Sequence, residues 1–149
     1  MNFMDQFKVD FFKKDFKNEV LNFSTRSKDE CEKIYTSFCL AYKIKKQDRN
    51  NIFSIIQDKG RCINSTNAED RNFNLECLLH EQNIKQVPTQ LNICWDFFCT
   101  IDTFEFKDIA HYFDYIWYPA ADDIIIFDNL YTICLMVRHD GVIYVLNRK

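Results

Sequence analysis

Two adjacent carboxylates, Asp122 and Asp123, stand just after Pro119 and directly before the apolar run Ile124-Ile125-Ile126-Phe127. Paired acids can divide acid and base roles or ligate a metal, so this is the first place to look for chemistry. His111, Asp114, His139 and Asp140 are the other groups that could complete such a site. The enzymatic reading of the segment is a small metal- or acid/base-dependent hydrolase using His111, Asp114, Asp122 and Asp123. None of these residues stands in a catalytic motif, and Asp140 precedes Gly141, where aspartate is common for turn reasons alone.

Other chemistries have less support. Cys77-x-x-His80 has a ligand-like spacing, but no second pair stands at a fitting distance, and a structural zinc site needs four convergent ligands. No GxSxG occurs, and with 2 glycines the chain has no phosphate-cradling loop. The 7 cysteines, at 31, 39, 62, 77, 94, 99 and 134, include no CxxC pair, and several occupy apolar positions, where free cysteine acts as a small hydrophobe. We therefore expect no catalytic residue, no metal and no cofactor.

Charge points elsewhere. Residues 102–128 hold seven acids and one lysine, a balance of -6, whereas residues 1–49 hold eleven Lys/Arg and eight Asp/Glu, a balance of +3. A net charge of -3 argues against direct nucleic-acid binding, which needs a basic footprint. Asp108, Asp114, Asp122, Asp123 and Asp128 are interleaved with Tyr112, Tyr115, Trp117 and Tyr118. Aromatics anchor and carboxylates steer, so Asp108, Asp114, Tyr115, Tyr118, Asp122, Asp123 and Asp128 form the candidate surface for a basic protein partner. The bland alternative is a solvated acidic face over an aromatic core.

These residues need elements to hold them. Phe3, Phe7 and Phe11 form one helical row, and Phe12, Phe16 and Val20 a second, which predicts an N-terminal amphipathic helix packed on the domain. Asp5, Asp10, Asp15 and Glu19 weaken a membrane-surface role for it. Ser27-Lys28-Asp29-Glu30 is a capping box opening a second helix, residues 50–58 suit a shorter one ending at Gly60, and Thr66-Asn67-Ala68-Glu69 resembles another box. Alternation over residues 91–97 predicts a strand, residues 107–117 a helix ended by Pro119, and residues 124–127 and 131–137 strands. Asp140-Gly141 predicts a type I′ hairpin turn leading to a last strand over residues 142–146. The order predicts one α+β domain over residues 1–149, with N-terminal helices packed on a small antiparallel sheet that ends in a β-hairpin. No run is long enough to span a bilayer and no secretory leader is seen, so a soluble, reduced, cytoplasmic protein is expected, without membrane contact.

The block Trp117-Tyr118-Pro119-Ala120-Ala121-Asp122-Asp123-Ile124, then Ile126-Phe127-Asp128 and the Val137-Arg138-His139-Asp140-Gly141 turn, resembles a group of small bacterial immunity proteins. These accompany polymorphic toxins, including those of contact-dependent growth inhibition. Trp95-Asp96-Phe97-Phe98 belongs to the same pattern, so the resemblance covers residues 95–146. It implies a non-catalytic inhibitor that neutralises the C-terminal domain of a cognate toxin, such as a nuclease, by stoichiometric masking. It also implies that the WYPxxDDI block is scaffold rather than specificity determinant.

Overall fold

A computed structural model describes residues 5–84 and 86–148. Phe3 of the predicted first row lies outside them. Seven strands form one sheet in the order β1-β4-β3-β5-β6-β7-β2, with every neighbouring pair antiparallel. The strands are β1 (Phe23–Thr25), β2 (Arg61–Ile63), β3 (Gln90–Asp96), β4 (Thr100–Glu105), β5 (Ile124–Phe127), β6 (Cys134–Val137) and β7 (Ile143–Val145). The helices are α1 (Gln6–Asp15), α2 (Lys28–Tyr42), α3 (Ile52–Lys59), α4 (Leu75–Glu81), α5 (Phe106–His111) and α6 (Phe113–Ile116).

The fold is α+β, as the order of elements predicts, but the sheet is larger than expected and is covered on both faces. On one face Leu91, Ile93, Phe104, Ile124 and Ile126 meet apolar side chains of α1, α4, α5 and α6. On the other, Cys94, Ile101, Ile125, Phe127 and Met136 meet those of α2 and α3. Double coverage explains why all four residues of β5 are buried: an uninterrupted apolar run is what a two-sided strand requires. The N-terminal half supplies both edge strands, β1 and β2, whose three residues are too short to show a period.

Several local expectations change. Both arms of the Ser27–Glu30 capping box form, Glu30 N donating to Ser27 Oγ at 3.2 Å and Ser27 N to Glu30 Oε1 at 3.1 Å. The second box caps no helix. Asn67 instead holds a turn, accepting from Glu69 N, and Asn74 caps α4 by accepting from Cys77 N at 2.9 Å. The helix expected over residues 107–117 breaks at Tyr112 into α5 and α6, so His111 and Asp114 do not share a helical face. α1 ends at Asp15, and its buried positions are Lys8 and Phe12; Phe7 and Phe11 stay 47% and 50% exposed, and Val20 lies beyond the helix.

The hairpin turn at residues 138–141 forms, but Gly141 alone has positive φ there, so it is not type I′. A turn with two consecutive positive-φ centres occurs instead between β3 and β4. Phe97 (φ 21°) and Phe98 (φ 63°) are its central residues, closed by Cys99 N donating to Asp96 O at 2.7 Å. Bulky residues adopt that conformation only when their surroundings impose it. Here Arg49 donates to the carbonyls of Phe97 (2.7 Å) and Phe98 (3.0 Å), and the Phe98 ring is buried against Phe38.

Candidate functional site

Asp122 and Asp123 lie directly ahead of β5, but they face different partners. Asp122 Oδ2 accepts from Lys8 Nζ at 2.5 Å and from Tyr118 N at 2.8 Å. Lys8 is 1% exposed; its ammonium also donates to Ile116 O at 2.8 Å and sits 4.6 Å and 4.9 Å from the ring centroids of Trp95 and Tyr118. The carboxylate, the carbonyl and two aromatic faces replace the water that a lysine loses on burial. Trp117 Nε1 donates to the Asp122 carbonyl, which fixes the loop from the other side. Asp122 is therefore the anchor by which α1 is fastened to the loop ahead of β5.

Asp123 Oδ1 accepts from His139 N at 2.7 Å and lies 3.1 Å from His139 Nδ1 and 3.7 Å from Arg138 Nε. Ala120 N donates to His139 O, so the Pro119 loop and the β6–β7 turn are fastened together. At the other end of β5, Asp128 is 1% exposed and accepts from Thr132 N (2.7 Å), Thr132 Oγ1 (2.5 Å) and Ile133 N (2.8 Å). This corrects its place in the candidate surface: a carboxylate with three internal donors and no exposure closes a turn.

The remaining predicted residues scatter. Asp114 is exposed on α6. Tyr115 donates to Asp15 Oδ2 at 2.6 Å and so ties α6 to the end of α1, much as Tyr112 does through Glu19. The Glu19 acceptor pushes the Tyr112 phenol up to about 12. Tyr118 is half-buried between Lys8 and the Phe7 ring. Asp108 lines an open cleft of about 760 Å³ with His111 and Glu76; burial pushes its carboxyl up, opposed by Lys107. Thus the fold gathers Tyr118 and Asp122 around Lys8 and sets Asp123 beside them, while Asp108 and Asp128 belong elsewhere.

Among the described residues, no hydrogen bond or ion pair joins His111 or Asp114 to Asp122 or Asp123, and no group of three or more His, Cys, Asp or Glu side chains is arranged to hold a metal. Four cysteines (31, 39, 94 and 134) are buried, and burial pushes the Cys94 thiol up to about 12. Cys62, Cys77 and Cys99 are exposed.

Lys8 is the residue that sequence reasoning missed. Extending the Phe12–Phe16 row back one turn reaches it, and a lysine inside an apolar row is a signal for a buried carboxylate partner. Asp102 carries a similar signal: it is fully buried in β4 and accepts from Thr25 Oγ1 (2.6 Å) and Trp95 Nε1 (2.9 Å).

Compared with protein-family models, with curated proteins and with solved structures, the chain matches none.

Proposed function

We infer that this protein is a non-catalytic inhibitor of the immunity type, which neutralises a cognate toxin domain by occupying its surface. The observation that carries the reading is a division of labour among the acidic and aromatic residues. The carboxylates with chemical potential, Asp122, Asp123 and Asp128, are each engaged by internal donors. Beside Asp122 an aromatic face is left to solvent: Phe7 and Phe11 on α1, with Tyr118 edge-on to Phe7 at 5.5 Å. Exposed Asp10 and Asp114 lie on the helices that form this side of the molecule. Lys13 and Lys14 are exposed on α1 as well, so the aromatic anchors carry charges of both signs at their rim, which suits a protein partner. The resemblance of the WYPxxDDI block to immunity proteins supports the same reading, with that block acting as scaffold.

Co-expression with the product of the reading frame directly upstream, where the immunity reading expects a toxin domain, tests it. A stable stoichiometric complex and restored growth are expected. Phe7→Ser with Phe11→Ser should weaken the complex by roughly ten- to a hundredfold, since central aromatic anchors carry most interface energy. Both rings are half-exposed, so circular dichroism should be unchanged. Neither complex nor rescue with the wild-type chain would overturn the reading. A complex insensitive to the double substitution would move the interface away from α1.

A further inference from the structure

The first turn of α2 and the end of the β3–β4 turn line one cleft of about 410 Å³, and each brings a free thiol to it: Cys31 and Cys99. The sheet brings them there. The β1–β4 ladder pairs Phe23, Ser24 and Thr25 with Phe104, Thr103 and Asp102, and Arg26 N continues it by donating to Ile101 O at 2.9 Å. α2 therefore starts alongside the beginning of β4, and Cys31, one turn into the helix, lies against Ile101, two residues beyond Cys99.

The two sulfurs differ in the way a redox pair requires. Cys99 is exposed, at the end of the turn that Phe97 and Phe98 hold with positive φ. Arg49 fixes the two preceding carbonyls, and its guanidinium, paired with Glu32 at 2.7 Å, lies near the Cys99 sulfur. Cys31 is 1% exposed; burial pushes its thiol up, the Ile101 amide opposes that, and the neighbouring Cys99 sulfur adds to the rise. An exposed thiol near a cation meets an oxidant first, and a sheltered second thiol then resolves the product.

We propose that Cys31 and Cys99 form an oxidation-sensitive dithiol that closes to a disulfide under peroxide and joins the start of α2 to the β3–β4 turn. Cys99 gives up its proton and its sulfur attacks hydrogen peroxide. The O–O bond breaks, hydroxide leaves as water, and Cys99 becomes a sulfenic acid. The Cys31 sulfur then attacks Cys99 Sγ, the S–O bond breaks, and the Cys31 proton leaves with the departing hydroxide as a second water. Two thiols and one peroxide become one disulfide and two waters. Cys62 and Cys77 serve as internal controls: both are exposed, and the groove that Cys62 lines holds no other thiol.

The test is intact-mass and non-reducing peptide analysis of the full chain after brief treatment with hydrogen peroxide and alkylation. The expected result is a loss of two hydrogens, two fewer alkylated thiols than in the reduced protein after unfolding, and a peptide pair joining Cys31 to Cys99 that dithiothreitol separates. Cys99→Ser, at an exposed position, should abolish the pair while leaving Cys62 and Cys77 fully alkylated. Cys31→Ser should leave Cys99 as a sulfenic or sulfinic acid, which a dimedone probe detects. Overoxidation of Cys99 in the wild-type chain without the joined peptide would overturn the proposal. So would pairing of Cys99 with Cys62 or Cys77 at an equal rate.

Discussion

At the scale of single residues, the molecule turns on an ammonium that water barely reaches. Lys8 holds Asp122 at 2.5 Å and Ile116 O at 2.8 Å, so removing it leaves a carboxylate, 15% exposed, with only the Tyr118 amide. Breaking a buried pair from one side costs about 3–5 kcal/mol, and the partial exposure of Asp122 sets the lower end. Lys8→Met should therefore destabilise the protein by about 3 kcal/mol, measured by urea denaturation. Asp122→Asn should cost less, because Lys8 keeps the Ile116 carbonyl and the Trp95 and Tyr118 faces. The double variant should be more stable than the sum of the single losses predicts, by about 1–3 kcal/mol. Additive losses would mean that the two groups do not act as a pair. The same pair shows where reading the chain stops. Asp122 and Asp123 are conspicuous in sequence, but the partner that gives Asp122 its role lies 114 residues away, and local pattern carries no information at that range.

At the scale of elements, what was readable depended on period and on turn chemistry. α2, β3, β5 and the β6–β7 hairpin carry an apolar period, a capping box or a DG pair, and they form where those signals stand. β4 escapes the apolar pattern because Asp102 and Thr103 interrupt it; both are buried and satisfied from the flanking strands, by Trp95 on β3 and Thr25 on β1 for one, and by Asn92 on β3 and Arg26 just after β1 for the other. Glycine marks two junctions, for reasons that differ. Gly60 ends α3 in extended backbone at φ -85°, so its dihedrals do not demand glycine. A Cβ there would lie 2.7 Å from Ile56 O and 2.9 Å from Val145 O, both backbone atoms. Gly141 combines φ +84° with a Cβ position 1.9 Å from Asn67 Oδ1. Alanine at either site should lower stability by about 2 kcal/mol, at Gly60 through overpacking and at Gly141 through strain and displacement of the Asn67 turn. Calorimetry of the two variants checks this. A second change, Asn67→Ala, should recover part of the loss only in Gly141→Ala, since the Gly60 collision is with backbone.

At the scale of the whole molecule, the decisive property is a sheet packed from both sides. The order of elements does not say how many faces of the sheet are covered; two covered faces place Cys94 and Cys134 between the sheet and the α2–α3 layer. Burial pushes both thiols up, Cys94 to about 12, so at neutral pH they are protonated as well as shielded. A neutral alkylating reagent near pH 8 should therefore modify Cys62, Cys77 and Cys99 at once, and Cys94 and Cys134 only when the sheet opens. Cys94 lies in β3 and Cys134 in β6, with β5 between them, hydrogen-bonded to both. A sheet that opens as one unit must expose both together. Their labelling should be slower than that of the exposed thiols by a factor of roughly a thousand or more, reflecting the ordinary stability of a domain of this size. It should also share one denaturant dependence with global unfolding. If Cys134 labelled through a cheaper opening than Cys94, the β6–β7 hairpin would be a separable unit. The β5–β6 ladder and the fastening of Asp123 to His139 would then be the contacts that open first.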